Sequence, residues 1–186
     1  MKKPNRGNDM GAQRGFTLLE LMIVVAILAL LATIGVPGLR DVILNNRQVA
    51  AVNELVTAMQ MARSEAITRN TAWPAAVSIC ASADGFACSG AWEDGWIVFT
   101  DSNGDGVFSA GAGDQVLRVF EAPGGMDISG GAVSYRRDGR AVAAVDFQVC
   151  DSRGASKARV IQLGLSGRPS VSKTLSGGGA PGCGGG

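Results

Sequence analysis

The chain has 186 residues, of which 46% are hydrophobic and 18% charged, with a formal net charge of +1 and no histidine. Without imidazole there is no Ser-His or Cys-His nucleophile, no imidazole base and no His metal ligand, and no Gly-rich phosphate loop accompanies the carboxylates and lysines. The sequence therefore points away from an enzyme, and the near-neutral total hides charge that is unevenly spread along the chain.

Residues 1–15 form a basic leader, with Lys2, Lys3, Arg6 and Arg14 against Asp9. By the positive-inside rule this end stays in the cytoplasm and the rest is exported. From 16 to 39 the only charged side chain is Glu20, and at about 1.5 Å per residue a helix of that length crosses a hydrocarbon core of about 30 Å. An ordinary secretory signal has its small residues after the apolar region. Here Gly15 precedes it, so a cut at Gly15 leaves the anchor attached.

Arg14-Gly-Phe-Thr-Leu-Leu-Glu20 followed by Leu-Met-Ile-Val-Val-Ala-Ile-Leu resembles the class III signal of type IV pilins and pseudopilins. The resemblance implies that prepilin peptidase cuts between Gly15 and Phe16 and methylates the new Phe16 amine, which makes Glu20 the fifth mature residue. A carboxylate at this depth costs about 2.5 kcal/mol or more unless it finds a partner. The family implies one, the N-terminal ammonium of a neighbouring subunit, whereas a plain signal anchor would leave Glu20 to snorkel. Gly35, Pro37 and Gly38 predict a kink or local melting. Proline at this position also matches the pilin pattern, where it serves helix bending in a filament, though an incidental kink reads the same way.

From there to about 70 the chain reads as amphipathic helix, with Val52, Leu55, Met59, Ala62 and Ala66 at three- and four-residue steps. That stripe predicts a face resting on a globular head. Short β-rich runs follow, at 75–81, 95–100, 115–121, 132–136, 141–150, 157–165 and 169–173, divided by Gly, Asp, Asn and Ser. The predicted organisation is a leader at 1–15, a helix at 16–70 with the anchor at 16–39, and a head at 71–186 with a Gly-rich tail. The fold class is α+β, a long transmembrane and amphipathic helix carrying an antiparallel β-sandwich-like head.

Ala62-Arg-Ser-Glu-Ala66, the run from Trp92 to Gly106 and Ser166-Gly-Arg168 narrow the resemblance to the GspH/FimT family of minor pilins and pseudopilins. It implies a minor pilin in assembly or initiation of a type IV pilus, single-pass in the bacterial inner membrane with its head in the periplasm, whose partners are other pilins and pseudopilins. The alternatives are an H-type pseudopilin of type II secretion and a DNA-binding minor pilin for natural transformation.

The four cysteines lie in the exported part, where disulfides persist, and four allow three pairings. Cys80 with Cys88 and Cys150 with Cys183 are favoured, the second tethering the tail; a zinc site lacks both His and a Cys-x-x-Cys pair. Asp101, Asn103 and Asp105 resemble the first half of a calcium loop, but Ala112 stands where the bidentate glutamate belongs. A β-turn is favoured and no cofactor is expected. Trp92 and Trp96 read as packing residues.

Residues 81–129 carry eight acidic side chains and one basic, Arg118, whereas from 130 onward eight basic residues oppose three acidic ones. Arg136, Arg137, Arg140, Arg159, Arg168 and Lys173 are candidates for holding DNA phosphates or an acidic face of a partner pilin. DNA-binding relatives are thought to use Gly-Arg-x-Arg, and this chain has Gly167-Arg168-Pro169-Ser170. The second arginine is absent, which disfavours DNA.

Overall fold

The structure is a computed structural model that describes residues 16–69 and 76–184. Its first element, α1 (Leu18–Arg69), is 52 residues long. Thr17 caps it: the Glu20 amide donates to Thr17 Oγ1 at 3.2 Å and the Leu21 amide to the Thr17 carbonyl at 3.1 Å. Thr followed three residues later by Glu is the pattern of a capping box, which occupies amides that a helix leaves without partners.

The chain divides into two compact units, Met1–Val42 and Ile43–Gly186. The second unit therefore includes the C-terminal part of α1, whose stripe rests on the head. The stripe is the reason, because Val52, Leu55, Met59, Ala62 and Ala66 are all buried. In the first unit Leu18 is 76% exposed and Leu30 67%, and α1 is long and apolar enough to cross a membrane. The helix continues unbroken across Gly35, Pro37 and Gly38, so the expected melting does not occur. Proline removes a single N–H from the ladder, and the turns on both sides keep theirs.

Among the described residues the head has eight strands in two antiparallel sheets. β1 (Ala76–Ala81), β2 (Trp96–Asp101), β3 (Gln115–Phe120) and β5 (Val133–Tyr135) make one, in the order β3-β2-β1-β5. β4 (Asp127–Ser129), β6 (Val145–Cys150), β7 (Arg159–Leu163) and β8 (Pro169–Ser172) make the other, in the order β4-β6-β7-β8. The expected strand at 141–150 is shorter. Ala141 only bridges Tyr135, and regular pairing starts at Val145, because the apolar run spans the crossover from one sheet to the other. β4 was not expected from sequence: three residues between glycines are too few to show alternation, and Asp and Ser are poor strand formers.

One core joins the helix stripe to Ile79, Trp96 and Tyr135 of the first sheet and to Phe147, Ile161 and Leu163 of the second. Trp92 meets Phe147 edge-on at 4.7 Å between centroids, and Trp96 stacks on Phe120 at 5.9 Å, so both tryptophans are packing residues. Gln48, one polar side chain among the buried, ties α1 to the second sheet: its amide donates to the Val149 carbonyl at 3.0 Å and to the Lys157 carbonyl at 2.9 Å. A smaller core of Cys80, Ile97 and Phe99 lies on the other face of β1 and β2.

Two disulfides close the loops that hydrophobic packing does not hold. Cys80 is bonded to Cys88 and Cys150 to Cys183, the pairing favoured from sequence. Along β6, Phe147 and Val149 are buried while Asp146, Gln148 and Cys150 alternate with them. Those three hold the tail: Asp146 accepts the Ser176 amide at 2.7 Å, Gln148 Oε1 accepts the Gly182 amide at 2.7 Å, and Cys150 bonds Cys183.

Candidate functional site

Of the expected processing junction, Gly15 lies outside the described residues together with the rest of the leader. Phe16 is exposed, and Glu20 stands exposed in the first turn of α1, its amide capped by Thr17. The apolar side chains that follow it are exposed as well, including Leu19, Met22 and Leu28. Pro37 lies within the same continuous helix.

The acidic loop after β2 spends its carboxylates on its own backbone. Asp101 is buried, and its Oδ1 accepts the amides of Gly104 at 2.7 Å and Asp105 at 3.1 Å. Its Oδ2 accepts the Gly106 amide and the Ser78 hydroxyl, both at 2.8 Å. Ser78 Oγ is also 2.7 Å from Ser134 Oγ, and since Ser78 has one proton to give, Ser134 is the donor there. Two donors on each oxygen fill the roughly four lone-pair positions of a carboxylate. Asp114, which the sequence reading passed over, accepts the Ser102 amide at 2.7 Å and the Ser109 amide at 2.9 Å. Asn103 and Asp105 bond each other at 2.7 Å. Among the described residues no group of three acidic or cysteine side chains is arranged to hold a metal.

The six candidate basic residues separate into two sets. Arg136, Arg137 and Arg140 occupy a turn after β5, closed by the Gly139 amide on the Arg136 carbonyl at 2.8 Å and the Arg136 amide on the Arg140 carbonyl at 2.9 Å. Arg168 joins them because the turn before β8 touches this one: a Cβ on Gly167 would stand 2.1 Å from the Gly139 carbonyl oxygen, and both glycines have positive φ. Arg159 starts β7, next to the register pair Val160 and Ser172, while Arg168 adjoins the pair Leu163 and Pro169. At about 3.3 Å per residue, the Arg159 and Lys173 backbones are therefore about 13 Å or more along the strands from Arg168.

Arg63 completes the first set and was not among the sequence candidates. It lies on the helix beside the buried stripe, and its Nε donates to the Gly139 carbonyl at 2.9 Å. Nearby, the Tyr135 hydroxyl is buried and has no hydrogen-bond partner among the described residues. Burial raises its pKa above the ordinary phenol range, and the Arg63 charge offsets part of that rise. Only the pair of glycines that must touch, Gly139 and Gly167, could have signalled this arrangement, and their contact cannot be read from one sequence.

At the other end of the helix portion in the head, Asp151 is buried and receives Arg153 Nε at 3.0 and 3.1 Å, while Arg153 Nη2 reaches Asn45 at 3.0 Å. The Arg153 hydrogen bond holds the Asp151 carboxyl below the usual carboxylate range.

A family model described as type II transport protein GspH matches residues 51–167, and one described as the prokaryotic N-terminal methylation motif matches residues 10–36. Fimbrial protein Q of Moraxella bovis is 33% identical over 136 residues, covering 72% of this chain and 85% of that protein. A fimbrial protein of Pseudomonas aeruginosa is 48% identical over 58 residues, covering 31% of this chain and 37% of that one. In structure, the type IV minor pilin FimU of Pseudomonas aeruginosa superposes with a TM-score of 0.53 at 21% identity, over 69% of this chain and 90% of that chain, which speaks for the fold. With an N-terminal methylation motif ahead of a GspH-type head, and a fimbrial relative matched over most of its length, the chain belongs to the GspH family of type IV pilin-like proteins.

Proposed function

We propose that this chain is a minor pilin that acts in assembly or initiation of a type IV pilus, anchored in the inner membrane by α1 with its head in the periplasm. The observation that carries the reading is a single carboxylate, Glu20, in the first turn of an exposed apolar helix and fifth in the chain after the processing junction. Prepilin peptidase hydrolyses the Gly15–Phe16 peptide bond, leaving a carboxylate on the leader and a free Phe16 amine that is then methylated. In lipid that ammonium and Glu20 of an adjacent subunit each carry a desolvated charge, and pairing relieves both. The basic leader and the two disulfides support the orientation, since disulfides persist on the periplasmic side.

The fimbrial relatives favour a pilus over the H-type pseudopilin role in type II secretion, which shares the signal and the head. A structural subunit requires no cofactor, and the Asp101 loop serves as a hydrogen-bonded staple, its carboxylate saturated by the protein's own donors. DNA is a weaker ligand than partner pilins in this reading, because the basic residues form two separated sets instead of a continuous track. Glu20→Ala tests the assembly role: the protein should insert normally yet recover markedly less partner pilin in pull-downs and give fewer pili. Unchanged recovery and pilus number would refute the role.

A further inference from the structure

Between α1 and the Gly167 turn the head has a groove of about 490 Å³ lined by Gln60, Arg63, Ser64, Ile67, Arg168 and Pro169. Gly167, which also lines it, meets Gly139 backbone to backbone and leaves no room for a side chain. Arg63 is held by its Nε on the Gly139 carbonyl, and its two terminal amino groups have no hydrogen-bond partner among the described residues. Arg168, exposed, faces the same space. Two guanidinium groups flanked by an amide, a hydroxyl and two apolar side chains suit a carboxylate on a short aliphatic stem, which Arg binds through two parallel hydrogen bonds.

The same head carries the complementary charge at its other end. Val77 of β1 pairs with Tyr135, so the turn that bears Arg136 and Gly139 stands at the Ala76 end of that strand. Ala81 pairs with Trp96, and Trp96 with Phe120, which places the 82–95 loop and Glu121 at the opposite end, about 17 Å away at about 3.3 Å per residue. That end presents Asp84, Glu93, Asp94 and Glu121, with Asp127 beside Glu93. A basic notch at one end and a carboxylate cluster at the other are the elements of a heterologous contact, the kind that builds an open filament and does not close on itself.

We propose that the Arg63–Arg168 groove receives a carboxylate-bearing loop of the neighbouring pilin-type head, so that heads stack basic end on acidic end. This rests on the assembly reading and names the surface that carries it. A photo-crosslinking benzoylphenylalanine at Gln60 or at Pro169, in the full chain in its piliated host, reads the occupant directly by mass spectrometry of the adduct. The expected product joins this residue to an Asp- or Glu-containing loop of a pilin head. Arg168→Gln, at an exposed site that leaves folding intact, should cut its yield about tenfold, the equivalent of losing one charge-assisted pair. Arg168→Lys should retain part of it.

An adduct with nucleic acid, no adduct from either position, or a yield unchanged in Arg168→Gln would overturn the proposal. If that happens while Glu20→Ala still abolishes assembly, the groove is not the docking surface and the assembly reading stands. If Glu20→Ala also leaves assembly intact, both fail.

Discussion

Asp101→Asn removes charge from the centre of the β2–β3 loop without changing side-chain size. In the native head each Asp101 oxygen accepts two donors, Gly104 and Asp105 on one, Gly106 and Ser78 on the other. Either orientation of the asparagine amide turns its NH2 group toward a backbone amide, that of Gly106 or those of Gly104 and Asp105, so at least one donor loses its acceptor and the remaining bonds lose their charge assistance. Each charge-assisted bond contributes about 1.5–3 kcal/mol net, which gives a cost of about 3–5 kcal/mol with partial relaxation of the loop. For a unit of this size 1 kcal/mol shifts Tm by about 2–4 °C, so thermal unfolding of a fragment beginning at Ile43 should occur roughly 10 °C lower. Calcium added to the unsubstituted fragment should leave Tm unchanged. A variant melting within about 2 °C of the parent would refute the staple, and a calcium-dependent rise abolished by Asp101→Asn would show the loop to be a cation site.

Replacing Cys150 and Cys183 by serine opens a loop whose ends are 33 residues apart; the chain-entropy account predicts a loss of about 4 kcal/mol, with protease cutting within 174–182 as the sensitive readout. Resistance equal to the parent would mean that Asp146 and Gln148 hold the tail alone. Asp151 should contribute to acid stability. Its folded pKa lies below its unfolded one, so its contribution is present above about pH 4 and is lost as pH falls through the lower folded value. Asp151→Asn should lower Tm at pH 7 and flatten its decline below about pH 4. Asp84 leaves a residual slope of the same sign, its carboxyl being held low chiefly by the Phe86 amide; an unaltered Tm-against-pH curve would contradict the pairing.

Features with a local cause were legible in the sequence. The stripe from Val52 to Ala66 announced a buried helix face through its spacing alone, and the four cysteines and the Gly-rich tail suggested the strap that β6 supports. What escaped depends on tertiary approach. Arg63 acquires its importance from a carbonyl 76 residues away in sequence, and the division of the basic residues follows from strand register. Asp101 and Asp105 resembled cation ligands because Asp-Asn-Gly runs serve both cations and turns. The donors around Asp101 suit the turn.

The central claim, a processed and membrane-anchored pilin, is tested most directly by the intact mass of the protein extracted from membranes. The account predicts a chain lacking residues 1–15 and carrying one added methyl group on Phe16. A mature N-terminus at any other residue, or an uncleaved leader in a host with active prepilin peptidase, would contradict it.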